Sequence, residues 1–440
     1  MRRFAWIFVP VLLFAGIVWA ATGIRFVEPD EGPSAVEQEI ERATADPGSF
    51  QATIGEAAHA RPRGAIDYAR IDARLRLLIE RNNMVGLAVG IVEDGEIRFL
   101  KGYGETIAGS RDPVTPNTVF RWASLSKGVA GDMVALLAEE NKLSLHEPVS
   151  RYSSTLRLPE GKEQVATLAD VLAHTLGIFA HANDSKLEDG LDPRMLRASL
   201  NELSLICPVG QCHAYQNVAF DAAAEAVERA TGKTYADAVR ERLFLPLGMT
   251  GASMSMEGLM TAPSWARPHV GGRNSKPVEV TEPYYRVPAA GGVNGSIKDL
   301  AIWLRAQMGA EPEVLNERVL ALAHAPRTAT PGERARRRKY QERIADARYG
   351  LGWRVFDYAG NEVVAHRGGV RGYRSLIMFD PRRRSGVVAL WNSSASQPGG
   401  LEYEVMDMLY GLPFRDWLEL EKFAPRSAEE PTEVVDEGGT

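Results

Sequence analysis

Apolar and polar positions follow two periods along this chain, and the places where the period changes outline the fold. Ile71, Leu75, Leu78 and Ile79 repeat at helical spacing, so folded structure is expected to begin near Ile66. Apolar runs over 85–92 and 96–100 then flank Asp94-Gly95, which predicts a hairpin. Val129, Ala130, Met133, Val134, Leu136 and Leu137 give a helix apolar on most of its surface. From 143 to about 260 the pattern is helical and loop-rich, with helices expected over 168–174, 219–231 and 235–244. Leu300, Ala301, Trp303 and Leu304 carry another helix over 297–308. β-rich runs return over 349–357, 362–366, 373–379 and 386–391, and 401–412 predicts a closing helix. The class that follows is α+β: an antiparallel sheet made from both ends of the domain, flanked by helices, plus a mostly helical lobe. The cleft between them is the natural place for a site.

Composition sets the surroundings of this domain. The chain has 440 residues, 45% hydrophobic and 25% charged, and its net charge of -6 argues against nucleic acid as a general partner. Met1-Arg2-Arg3 precedes an uncharged run over 4–24, read as a signal peptide or a membrane anchor. Either reading exports the remainder, to the periplasm or the outer face of the cytoplasmic membrane. Residues 25–64, rich in Glu, Ala, Pro and Gly, form a linker; 65–415 form the domain, and 416–440 an acidic, disordered tail. Cys207 and Cys212 are the only cysteines, and in an exported chain a local disulfide between them is expected.

Other motifs reduce to structure. Gly232-Lys233-Thr234 lacks the first glycine of a phosphate loop, because Val227 stands there, and reads as a turn between helices. The basic run Arg334, Arg336, Arg337, Arg338 and Lys339 is expected to be a solvated insertion loop, and His174 and His181 are expected to be structural. No Cys or His spacing suits a metal, and no cofactor is expected.

Candidate chemistry lies in three places. Ser124 and Lys127 stand three residues apart at an expected helix start, which sets a hydroxyl and an amine on one face. A serine becomes nucleophilic when a neighbour takes its proton, and a lysine carried into apolar surroundings is suited to that. Tyr215-Gln216-Asn217 supplies a phenol able to relay a proton and an amide able to orient a carbonyl. His366-Arg367-Gly368-Gly369 ends a strand, with glycines that let a substrate backbone lie close.

In this order and spacing the three motifs resemble those of the serine β-lactamase and penicillin-binding protein superfamily, especially its class C-like and esterase-like branch. The resemblance runs from about Ile71 to Leu412 and includes the segments 141–145, 167–175, 244–249, 290–293, 349–353 and 368–373. It implies a β-lactamase/transpeptidase-like fold. By the same resemblance Ser124 is the acylated nucleophile, Lys127 its proton acceptor, Tyr215 the partner base and acid, and Asn217 a ligand of the substrate amide. The backbone N–H groups of Ser124 and Gly369 form the oxyanion hole. His366 replaces the lysine usual in β-lactamases, a weaker charge that switches near neutral pH. Arg367 replaces a small hydroxyl residue and, by strand alternation, points to the other face. The implied function is a serine hydrolase of small ester or amide, including peptide-like, substrates. A DD-carboxypeptidase or β-lactamase is the rival within the superfamily, and a non-catalytic penicillin-binding-type sensor the rival outside enzymes.

Overall fold

The computed structural model describes residues 65–421. The signal or anchor expected over 4–24 and the whole linker over 25–64 lie outside them. Among the described residues no helix is long and apolar enough to cross a membrane. The strands in chain order are β1 (Gly86–Glu93), β2 (Glu96–Gly104), β3 (Val119–Arg121), β4 (Asn294–Ser296), β5 (Thr328–Ala329), β6 (Ile344–Tyr349), β7 (Arg354–Tyr358), β8 (Asn361–Val370), β9 (Tyr373–Asp380) and β10 (Ser385–Trp391). The helices that matter for the site are α1 (Tyr68–Ile79), α2 (Ser126–Glu139), α3 (Leu168–Leu172), α4 (Ala222–Thr231), α5 (Ile297–Ala306), α6 (Pro331–Arg336) and α7 (Leu401–Tyr410).

The main sheet runs β2-β1-β10-β9-β8-β7-β6-β5 with antiparallel neighbours throughout, so strands from both ends of the domain meet at β1 and β10. Asp94 and Gly95 turn the first hairpin with left-handed φ angles of 55° and 82°, the mirror-image turn whose twist matches the strands. Helices cover both faces of the sheet, which explains why β1 is buried along its whole length instead of alternating. Leu87, Val89 and Ile91 face a core shared with Ile71, Leu75 and Leu78 of α1 and with Leu401 and Val405 of α7. Ala88 and Val92, on the opposite face, join Val129 and Met133 of α2 and Leu300 and Trp303 of α5. The helical lobe over 143–260 lies on that second side, beyond α2, where α4 presents Ala223, Ala226 and Val227 to the same core.

The elements depart from the sequence reading at their ends. The single strand expected over 349–357 is two strands, β6 and β7, because Gly350-Leu351-Gly352 leaves the sheet to pack on α2. A Cβ on Gly352 would stand 2.1 Å from the Lys127 carbonyl oxygen, and its φ is 79°; only glycine fits there. The helix expected over 168–174 stops at Leu172, capped at its start by a reciprocal Thr167 and Asp170 pair, and His174 takes a φ of 60°. The boundary expected at 415 moves outward, since Trp417, Leu418 and Leu420 are buried against the α7 core and the Trp417 indole donates to Asp407. The basic run is not a solvated loop throughout. Arg337 is buried, ion-paired with Glu333 and Glu402, and donates to the Tyr403 hydroxyl at 2.6 Å.

Candidate active site

β3 pairs with β4 and delivers the chain to a sharp elbow. Trp122 is followed by Ala123 with a φ of 50°, a 3-10 turn over Ala123–Leu125, and then α2. Ser124 therefore stands one turn ahead of the α-helix and caps neither element. The neighbouring Ser126 does the fastening: its hydroxyl donates to the Ala123 carbonyl at 2.7 Å and accepts from Val293 N–H at 3.0 Å. Ser375 donates to the Trp122 carbonyl at 2.7 Å from the sheet side. A non-glycine residue with positive φ is held this way only when its surroundings over-determine it. From Thr118 to Ala135 every residue is buried except Ser124.

Lys127 is fully buried one turn further on. Its Nζ donates to Asn217 Oδ1 at 2.7 Å and to the Ala290 carbonyl at 2.9 Å, and lies 4.7 Å from the centre of the Tyr215 ring and 5.2 Å from that of Phe220. Asn217 in turn donates through Nδ2 to Asp184 at 2.7 Å, and Asp184 also pairs with His181 Nδ1 at 2.9 Å. Lys127, Tyr215 and Asn217 thus come from a helix and a lobe loop to one place, and Ser124 stands three residues before Lys127 on the elbow. The amide of Asn217 is engaged within the chain at both ends, and Asp184, which the sequence reading had not singled out, is its second partner.

The Tyr215 loop is set by the segment after α3. Ala214 N–H donates to the His174 carbonyl at 2.9 Å, Gln216 N–H to His174 Nδ1 at 3.2 Å, and His181 N–H to the Tyr215 carbonyl at 2.8 Å. The imidazole of His174 lies tilted against Tyr215, at 4.4 Å between ring centres and 40° between planes. The Cys207–Cys212 disulfide is formed, in the segment that leads into this loop.

Behind Tyr215, three buried side chains form a directional hydrogen-bonded chain. Tyr349 Oη lies 3.2 Å from His174 Nε2 and 2.9 Å from His366 Nε2, and His366 Nδ1 lies 2.9 Å from the Arg367 carbonyl. Burial holds both imidazoles well below their ordinary pKa, helped by His213 and Lys127 beside His174 and by Arg354 and Lys127 beside His366. In the neutral forms the backbone assigns the tautomers. His174 Nδ1 accepts from Gln216, so its Nε2–H donates to Tyr349; Tyr349 donates to His366 Nε2, whose Nδ1–H donates to the Arg367 carbonyl. The expected cation switch of His366 near neutral pH is therefore corrected: its burial, at 1% exposure, keeps it neutral at pH 7.

The strand that carries His366 crosses the elbow closely. A Cβ on Gly368 would meet Ser375 Oγ at 2.2 Å, Trp122 O at 2.4 Å and Ser124 N at 3.0 Å, so the missing side chain brings β8 against the elbow itself. Gly369 is exposed. β7 pairs with β8 only as far as Ala365, so among the described residues His366–Val370 has no paired strand on that edge. Arg367 points to the opposite face, where its guanidinium meets Glu402 at 2.7 Å and the Gly399 carbonyl at 2.6 Å. Among the described residues no group of three or more His, Cys, Asp or Glu is placed to hold a metal ion.

An elbow serine, a buried lysine one turn on, a tyrosine loop and a glycine-bearing strand edge, set between an antiparallel sheet and a helical lobe, define a protein of the β-lactamase fold. The family model described as Beta-lactamase matches residues 71–407, and the chain belongs to that family. Among its relatives, the unguisins hydrolase ungD' of Aspergillus campestris is 28% identical over 346 residues, covering 75% of this chain and 62% of the fungal protein. Protein flp of Staphylococcus aureus is 24% identical over 334 residues, covering 73% of this chain and 62% of that protein. The chain thus spans less than two thirds of the length of these curated relatives. The octameric penicillin-binding protein homologue from Pyrococcus abyssi shares the fold with a TM-score of 0.70 at 22% identity, over 79% of this chain and 78% of the other. A class C beta-lactamase mutant does so with a TM-score of 0.64 at 22% identity, over 78% and 97%.

Proposed function

We propose that this chain is an exported serine hydrolase that forms an acyl-enzyme on Ser124 with ester or amide substrates. The observation that carries the reading is the half-exposed Ser124 on a fastened elbow, followed by a fully buried Lys127 whose amine already has two acceptors. In the deprotonated state that proton acceptance requires, an amine has two N–H groups and one lone pair. Asn217 Oδ1 and the Ala290 carbonyl take the two N–H groups, which leaves the lone pair for the Ser124 proton. Tyr215, stacked beside Lys127, passes the proton to the leaving group. The N–H groups of Ser124 and Gly369 stabilise the oxyanion. Water then releases the acyl group.

Esters and peptide-like amides suit the site better than β-lactams, because His366 is neutral and Arg367 is turned away to Glu402. The hydrolase names of the fungal relatives support the reaction class. Export rests on the apolar run over 4–24. The test is intact mass spectrometry of the domain after incubation with a short-chain aryl ester, a D-Ala-D-Ala peptide and a penicillin, beside Ser124→Ala. A ligand-sized mass gain or turnover lost in the variant supports the reading and ranks the substrates. Wild type that reacts with none of these, nor with a serine-reactive phosphonate, supports a binding protein instead.

A further inference from the structure

The side-chain amide of Asn217 fits its place in two ways that differ only by exchange of oxygen and nitrogen, and its neighbours decide between them. Lys127 Nζ lies 2.7 Å from one end of the amide and Asp184 Oδ2 lies 2.7 Å from the other. An ammonium only donates, so protonated Lys127 selects the oxygen. The neutral amine that proton acceptance requires also carries a lone pair, and it tolerates either end. Asp184, as a carboxylate, only accepts, so it selects the nitrogen whatever the state of Lys127. The difference matters because a reversed amide would donate into the Lys127 lone pair, the pair that the Ser124 proton needs.

Asp184 is held firmly enough to decide. It opens a one-turn helix, Asp184–Glu188, and 14% of its side chain is exposed. Its Oδ2 also accepts from His181 Nδ1 at 2.9 Å, and His181 N–H donates to the Tyr215 carbonyl at 2.8 Å, which ties the acid to the loop that carries Asn217. Asn183, just ahead of it with a φ of 63°, donates to the Leu196 carbonyl and to Ser199 Oγ, both at 3.1 Å. At the far end Tyr284 donates to Glu188 and Arg286 to the Gly190 carbonyl, each at 2.8 Å. Both residues lie just before Pro288–Gly291, whose Ala290 carbonyl is the other acceptor of Lys127. The carboxylate therefore stands on a segment fastened at both ends, as a group that orients another must.

We infer that Asp184 is a positioning residue: it holds the Asn217 amide with its oxygen toward Lys127, so that the lone pair of the neutral amine stays with Ser124. The second N–H of the same amide then remains for a substrate carbonyl. The inference rests on the proposed roles of Ser124 and Lys127 and adds to them a residue that acts through Asn217.

The test is single-turnover acylation of Ser124 by an aryl acetate, which has no second carbonyl for Asn217, in Asp184→Ala, Asp184→Asn and Tyr284→Phe. Asp184→Ala is expected to acylate about thirtyfold more slowly, the weight of one hydrogen bond to a charged group, with the half-saturating ester concentration changed by less than about twofold. Asp184→Asn offers a carbonyl oxygen to the same N–H and is expected to return to within about threefold of wild type. Tyr284→Phe loosens the same segment without touching Asn217 and is expected to stay within about threefold as well. A second readout needs no turnover. In asparagine-selective 15N NMR, with Asn217→Ser to assign the signal, one Asn217 Nδ2–H is expected to exchange slowly in wild type and in Asp184→Asn, and fast in Asp184→Ala. Unchanged acylation in Asp184→Ala, or slowing matched by Tyr284→Phe or by Asp184→Asn, overturns the assignment while leaving a serine hydrolase. If wild type acylates with no substrate, the hydrolase reading falls and the amide signal decides alone: protection lost in Asp184→Ala supports the orientation, and unchanged protection overturns it.

Discussion

Tyr349→Phe removes one oxygen from the centre of the chain that joins His174 to His366. The phenyl ring keeps the contacts at 4.8 Å to His174 and 5.1 Å to His213, so packing is nearly unchanged. What is lost is the partner of two buried nitrogens, the His174 Nε2 donor and the His366 Nε2 acceptor. Each buried polar group left unsatisfied costs about 1–3 kcal/mol, and His366 keeps its Nδ1 bond, so the sum is about 2–4 kcal/mol. The assay is urea unfolding at pH 7.5, where both imidazoles are neutral, with the slope m compared between variants so that a shift in midpoint reports stability. Tyr358→Phe is the control, a buried tyrosine bonded to Asp407 far from the elbow. If the chain also orients the Tyr215 loop through Gln216 N–H and His174 Nδ1, acylation of Ser124 slows in Tyr349→Phe and not in Tyr358→Phe. A loss below about 0.5 kcal/mol would refute the hydrogen-bonded chain, since two desolvated nitrogens cannot be left unpaired so cheaply.

Three further outcomes are expected. Gly368→Ala forces the elbow away from β8, because its Cβ would stand 2.4 Å from Trp122 O and 3.0 Å from Ser124 N; a shift near 1 Å costs about a hundredfold in acylation rate, read by stopped-flow with an aryl ester. Asp132, buried on the inner face of α2 and accepting from Trp303 and Gln307, is raised by burial from 3.8 to about 7. Its ionised form is disfavoured in the fold, so this group lowers stability progressively between about pH 4 and 7, on the order of 4 kcal/mol in all, and Asp132→Asn should flatten that part of a Tm-against-pH curve. Replacing Cys207 and Cys212 together by Ser opens a loop of sequence separation 5 and should cost about 2 kcal/mol by chain entropy, measured as a lower urea midpoint; an unchanged midpoint would contradict it.

The periodicity of the chain determined the kinds of element and their order, because a strand or helix buried on one or two faces needs apolar residues at spacings that the chain displays openly. It determined the first hairpin through Asp94-Gly95, the buried helix after Ser124, the antiparallel sheet drawn from both ends and the turn at Gly232. The candidate residues Ser124, Lys127, Tyr215, Asn217, His366 and Gly368 were legible as motifs because their residue types carry the chemistry. Tertiary structure decided what surrounds them. The run over 349–357 breaks at Gly350-Leu351-Gly352 because α2 lies against it, and nothing local records the Lys127 carbonyl at Gly352. His366 reads as a titrating imidazole from the ordinary pKa of the side chain, but its charge state is set by burial, by Arg354 and Lys127, and by a hydroxyl from Tyr349 on another strand. Asp184 and His174 gained their places beside Asn217 and Tyr215 only when the separate segments of the lobe packed together. Spacing along a chain fixes which side chains share a face, whereas solvation and hydrogen bonding depend on groups distant in sequence that only the packed fold brings together.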